Sequence, residues 1–148
     1  MSEFLSELSV TPFTDGRNWR INADLIYDSD IAGRITVPAR FATDFASIPQ
    51  ALWAILPPWG TYGSASVVHD FLYWQHVDKA KADDVLREAM ELLGVDDDVV
   101  TKIYGAVVMF GQGAWDKNAK LRANRYTRMA SAGSQPPYAA LPDLPEAL

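Results

Sequence analysis

The chain has no cysteine, which excludes disulfides, thiolate metal sites and cysteine nucleophiles. It has two histidines, His69 and His76, too few for a phosphohydrolase whose metal ligands are histidines spread along the chain. No apolar run approaches the ~18 residues of a membrane-spanning helix. The first residues, MSEFLSELSV, lack the basic start and apolar core of a secretory signal, so the chain reads as cytoplasmic at synthesis. Basic residues are in deficit, 13 Lys and Arg against 19 Asp and Glu, for a net charge of −6. That argues against a nucleic-acid surface, which wants clustered cations. Five late cations, Lys117, Lys120, Arg122, Arg125 and Arg128, read as a solvated helix face. No G-x-S-x-G occurs, and Ser47, Ser64 and Ser66 read as caps or loop residues rather than nucleophiles.

What is present fits one globular domain: 148 residues, 49% apolar and 22% charged. Val10 to Phe13 reads as an edge strand limited by Pro12. Trp19, Ile21, Ala23, Leu25 and Tyr27 alternate with mostly polar residues, the period of a half-buried strand. Asp28 to Gly33 supplies a turn, and Ile35, Val37 and Phe41 resume the apolar series. Residues 19–41 are therefore expected as an antiparallel hairpin, joined by a third strand from the N-terminus. Residues 41–63, rich in aromatics, Pro and Gly, read as a long irregular cover. Ser64 to Trp74 reads as a buried helix. Ala82, Val85, Leu86, Ala89, Met90 and Leu93 then make one face of an amphipathic helix ended by Gly94. A third helix starts near Asp96 to Asp98 and is expected to run through Gly111 toward Arg125. The expected fold is α+β, a small antiparallel sheet packed on an antiparallel helix pair and a third long helix. The globular domain spans 1–130, and 131–148, with four of the nine prolines, reads as a flexible or partner-docking tail.

The chemistry concentrates on the first helix. SASVVHDFLYW is apolar over most of its circumference, except for a stripe about 120° wide holding His69, Asp70, Tyr73 and His76. A histidine, a carboxylate and a phenol placed where water is scarce need partners. On the second helix Asp83 lies at the rim of the apolar face, whereas Asp84 points away from it. Asp83 can therefore reach the stripe of a helix packed antiparallel, and Asp84 cannot. A His69–Asp83 pair would orient the imidazole so that its other nitrogen takes a proton from water. The same cluster also reads as a buried network that only fixes packing. A zinc site from His69, His76 and a carboxylate is disfavoured, because His76 falls in the polar break and reads as exposed. Trp53, Trp59, Tyr62 and Trp74 flank the site, as core and interface or as an apolar mouth for an acyl chain.

Two resemblances follow from these residues. His69-Asp70-Phe71-Leu72-Tyr73, followed by a helix with an aspartate, an apolar residue at +3 and Met at +7, resembles the secreted phospholipase A2 superfamily over about 30 residues. That resemblance implies a phospholipase-like helical core, His69 as water activator, Asp83 as its orienting carboxylate, Tyr73 hydrogen-bonded to Asp83, and Asp70 on Ca2+. Asp44, in TDFASIP, is a candidate for a further calcium oxygen, since calcium takes six to eight. Thr43 to Pro49 (TDFASIP), HDFLY, ADDVLREAM and the Phe110 to Trp115 stretch together resemble a family of small phage and prophage proteins of unknown function. It implies a phage setting and assigns no activity.

The sequence thus supports a Ca2+-dependent, phospholipase A2-like ester hydrolase acting at a lipid or membrane surface. The rival is a non-catalytic tail or baseplate component, working through other phage proteins as an oligomer or within the virion. A third reading is an adaptor that binds a partner through its Pro-rich tail.

Overall fold

Alternation in the first third of the chain produces two small sheets rather than one extended hairpin. The computed structural model describes residues 1–14, 18–43 and 61–130. One antiparallel sheet has the order β1 (Glu3–Phe4), β4 (Leu25–Ser29), β5 (Gly33–Val37). The other has the order β2 (Val10–Pro12), β3 (Trp19–Ile21), β6 (Ala42–Thr43). The apolar series from Trp19 to Tyr27 is therefore shared between sheets, with the break at residues 22–24. The polar side chains there turn the chain. Asn22 Nδ2 donates to Ser9 Oγ at 3.1 Å, and Asp24 Oδ1 accepts from the Ala39 amide at 2.7 Å. Pro12 sits on β2, an edge strand, where a missing amide hydrogen is tolerated.

The β4–β5 hairpin keeps the expected inward face, pairing Leu25 with Val37 and Tyr27 with Ile35. All four are buried. Its turn is closed by Ser29 Oγ, which accepts from the amides of Ile31 and Ala32 at 3.0 Å each. Gly33 at φ +74° supplies the left-handed residue.

Among the described residues four helices follow: α1 (Gly63–Gln75), α2 (Lys79–Leu92), α3 (Asp97–Phe110) and α4 (Gln112–Ala123). The architecture is α+β. Helix α1 touches α2, α4 and strands of both sheets, which is why its sequence is apolar on nearly every side. Asp78 caps α2 by accepting from the Lys81 amide at 3.0 Å. Gly94, at φ +75°, ends it: its amide bonds Glu91 O and the Val95 amide bonds Met90 O, the paired pattern of a Schellman motif. Asp97 and Asp98 lie in the first turn of α3, where acidic residues suit the helix dipole. The stretch expected to continue as one long helix is two, divided at Gly111.

Beyond α4 the chain returns to the second sheet. The Ala42 amide bonds Arg128 O at 2.7 Å and the Ala130 amide bonds Arg40 O at 2.8 Å, laying residues 128–130 along the edge strand β6. Among the described residues no helix is long and apolar enough to cross a membrane. Of the cover expected over 41–63, residues 44–60, with Asp44, Trp53 and Trp59, lie outside the described residues, as does the tail at 131–148.

Candidate functional site

The site begins with helical spacing on α1. His69 and Tyr73 are one turn apart, share a face, and have ring centroids 4.2 Å apart. After Gln75 the chain reverses in three residues. His76 takes the left-handed conformation at φ 60° and its amide bonds Leu72 O. Helix α2 then packs back along α1 and brings Asp83 opposite the stripe. His69 Nε2 lies 2.7 Å from Asp83 Oδ1, and Tyr73 OH donates to the same oxygen at 2.8 Å. Lys79, one turn before Asp83 on α2, donates from Nζ to Asp83 Oδ2 at 2.9 Å and to Val107 O of α3 at 3.0 Å.

All of this is interior: His69 is 0% exposed and Asp83 2%. Burial acts to raise the Asp83 carboxyl. Hydrogen bonds from His69 and Lys79, with a weaker one from Tyr73, outweigh burial and hold it below the usual aspartate range. Burial, reinforced by the Asp83 carboxylate, pushes the Tyr73 phenol far up, so it is a fixed donor. In a neutral imidazole whose Nε2 proton is accepted by an ionised Asp83, Nδ1 carries the ring's lone pair. His69 Nδ1 is buried and has no hydrogen-bond partner among the described residues. In that tautomer the imidazole has a single basic nitrogen to spare, which is what a general base needs.

Sequence reasoning separated the two aspartates of α2 by helical phase, and the structure places them accordingly. Asp84 faces α3, accepts from Tyr104 OH at 2.7 Å, and its side chain is 40% exposed. The last position of the stripe, His76, differs from its expected exposure. His76 is half-buried, stacked on Trp115 of α4 at 3.9 Å, with Nε2 donating to Trp115 O at 3.0 Å. Trp115 also meets Tyr73 edge-on at 5.2 Å, so α4 closes this end of the cluster.

Asp70 faces a different partner. Arg128 donates from Nη1 to Asp70 Oδ1 and from Nη2 to Oδ2, both at 2.9 Å, and Thr43 Oγ1 donates to Oδ2 at 2.7 Å. Arg128 is 3% exposed, which corrects its reading as part of a solvated helix face. It lies beyond α4, on the segment that docks on β6, and its charge is matched inside the protein. Calcium fits these residues poorly. Both Asp70 oxygens are held by side-chain donors, and among the described residues no three of His, Asp and Glu converge as metal donors. Asp44, the other expected ligand, falls outside the described residues.

Three further residues build the site without having been singled out. Lys79 had a local signal, four positions before Asp83. Arg128 had none, being 58 residues from Asp70. Gly111 makes room: a Cβ there would lie 2.5 Å from Tyr73 OH, so the break between α3 and α4 is also where the phenol passes. A cleft of about 290 Å³ lined by Arg34, Phe71, Leu72, Gln75 and Lys81 opens on another flank of α1 and does not reach His69. Tyr62 and Trp74, of the aromatic set, are core.

No curated protein and no solved structure matches the chain. Residues 19–107, more than half of its length, match the family described as Protein of unknown function (DUF1353). That span contains His69, Asp70, Tyr73, Lys79 and Asp83 and stops short of Gly111 and Arg128, and the chain belongs to this family.

Proposed function

We propose that the protein is a water-activating ester hydrolase of a phage or prophage, with His69 as base and Asp83 as its orienting carboxylate. The observation that carries this reading is the contrast between the two ring nitrogens of His69. Nε2 is tied to Asp83 at 2.7 Å, while Nδ1 is buried without a partner among the described residues. In the reaction, Nδ1 takes a proton from water as the oxygen attacks the ester carbonyl carbon. Asp83 stabilises the imidazolium through Nε2–H. The same proton passes to the departing alkoxide, leaving an acid and an alcohol. Tyr73 and Lys79 hold Asp83 in place and take no proton. The resemblance of HDFLY and the following helix to secreted phospholipases A2 favours a lipid ester, and TDFASIP with HDFLY favours the phage setting.

The test is hydrolysis of phosphatidylcholine vesicles and of a soluble p-nitrophenyl ester by the full chain, with His69→Ala and Asp84→Asn beside it. Loss of His69 should remove at least ~100-fold of the rate, the range of general-base catalysis, and Asp84→Asn should change nothing. A parent chain that hydrolyses neither ester, with or without Ca2+, refutes the proposal.

A second reading has its own support. His69 is 0% exposed, and Asp83 receives three donors from the protein itself. A cluster so closed also suits a packing network in a tail or baseplate component. Under that reading His69→Ala unfolds the chain, and the protein is found in purified particles.

A further inference from the structure

Two carboxylates, Asp70 on α1 and Asp83 on α2, are buried, each 2% exposed. Buried charge is tolerated only when it is matched. Asp83 is matched by Lys79, and Asp70 by Arg128 through a two-pronged pair that fits a carboxylate plane. Among the described residues two carboxylates thus stand against one ammonium and one guanidinium. A divalent cation added to this set would bring two further positive charges to carboxylates already matched by Lys79 and Arg128.

Arg128 is also anchored well beyond the carboxylate. Its Nε donates to Ala42 O at 3.2 Å and its Nη1 lies 3.4 Å from Asn118 Oδ1. The guanidinium sits 5.3 Å from the Phe41 ring centroid and 5.9 Å from that of Trp74, within range of cation–π attraction. Its backbone is pinned as well, since Arg128 O accepts from the Ala42 amide. A metal at Asp70 would have to displace a cation held by backbone, amide, carboxylate and two aromatic faces. It would then leave that cation buried.

We propose that Arg128 is the resident cation of the site, standing at Asp70 where a calcium ion was expected, so that the His69–Asp83 pair works without a divalent metal. Arg128 is a positioning residue: it fixes Asp70, and through α1 the adjoining His69, and touches no reacting atom. The part of the inference that concerns activity rests on the hydrolase reading; the part that concerns binding stands alone.

The full chain, stripped with EDTA, is titrated with CaCl2 by calorimetry, and its Tm is measured in EDTA and in about 5 mM CaCl2, above the weakest protein calcium sites. No saturable heat and a Tm change below about 1 °C are expected, because a ligand without affinity for the folded state gives no stabilisation. Saturable calcium binding in the wild type that Asp70→Asn abolishes overturns the proposal. Arg128→Gln supplies the converse. With the guanidinium gone, calcium should raise its Tm by about 5 °C. A wild-type chain stabilised by calcium as much as this variant also overturns the proposal. If the esters are hydrolysed, the rate in EDTA should stay within about twofold of that in calcium, whereas an obligatory Lewis acid contributes several kcal/mol. A rate that collapses in EDTA refutes Arg128 as the working cation and leaves His69 as base. Absence of hydrolysis in both media refutes the hydrolase alone, and the calorimetry still decides the cation.

Discussion

Replacing Gly111 by alanine separates two physical arguments by sign. On helix propensity alone, Gly→Ala between two helices stabilises by up to about 1 kcal/mol. The structure says the opposite. A Cβ at Gly111 would lie 2.5 Å from Tyr73 OH and closer still to Val107 O. The phenol oxygen must retreat by roughly 1 Å to restore ordinary contact. It has little room, because its ring lies against His69 at 4.2 Å and Trp115 at 5.2 Å. A retreat of that size takes the 2.8 Å bond to Asp83 out of hydrogen-bond range. Losing a bond to a carboxylate is worth about 1.5–3 kcal/mol, and overpacking adds about 1–3 kcal/mol. Set against the propensity gain, the net destabilisation is about 1.5–5 kcal/mol, or a Tm fall of roughly 3–20 °C for a chain of this length.

Thermal and urea unfolding followed by circular dichroism measure this directly, with Gly105→Ala as control. Nothing lies within 4 Å of a Cβ at Gly105, inside α3, so that change should stabilise by about 0.5–1 kcal/mol. The cycle with Tyr73→Phe isolates the cause. Removing the phenol oxygen removes one of the two close contacts, so Gly111→Ala should be milder in the Tyr73→Phe background by about 1–2 kcal/mol. A Gly111→Ala chain as stable as wild type, or equal penalties in both backgrounds, would refute the account of how Tyr73 reaches Asp83.

Other outcomes follow from the same contacts. Asp83→Asn strands Lys79 and breaks a buried charge cluster, so it should destabilise by about 3 kcal/mol or more near neutral pH. Asp84→Asn, at a half-exposed residue, should stay below about 1 kcal/mol; comparable losses in urea midpoints would place the wrong aspartate in the interior. The pH dependence has a definite sign. The Asp83 carboxyl is held below its ordinary value in the folded chain, so the unfolded state binds more protons in the window between the two values. The stability contributed by Asp83 is fully present above about pH 4 and is lost as pH falls through the folded value. The wild-type minus Asp83→Asn difference, followed by urea melts, should therefore shrink below about pH 4, and growth there would reverse the assigned shift. Arg128→Lys keeps the charge but loses the two-pronged geometry and the Ala42 contact, so a Tm loss of several degrees is expected, at about 2–4 °C per kcal/mol.

How much of this was legible in the sequence depends on the distance over which each feature is decided. The α1 stripe, the α2 face, the Gly94 stop and the phase difference between Asp83 and Asp84 are local. They follow from about 100° per residue and from burial, and each stands where the pattern put it. The period-2 series from Trp19 to Tyr27 was read correctly in its buried faces but not in its connectivity. A sheet change at Asn22 to Asp24 leaves alternation almost intact, and only exposed Ala23 betrays it. The break at Gly111 was missed for a different reason. Its backbone angles, φ −74° and ψ −9°, are ones that any residue adopts, so its need for glycine comes from Val107 O and from Tyr73 OH, the latter nearly 40 positions away in sequence.

Arg128 shows how an electrostatic argument could have gone further than a periodic one. Once α1 and Asp83 are placed, two carboxylates are committed to the interior, and each requires a cation or a set of donors. Helical spacing supplies Lys79 to Asp83. It supplies none to Asp70, because no Lys or Arg lies within a turn of it on α1. The missing charge had to come from a distant segment, and the five late cations form such a segment. Arg125 and Arg128 both lie past the end of α4, but Arg125 is exposed, and only at Arg128 has the chain run back as an extended edge that aims a side chain inward. The Asp70–Arg128 pair is thus a consequence of charge balance in the core. It ties the position of His69 to a strand outside the helices that carry the site.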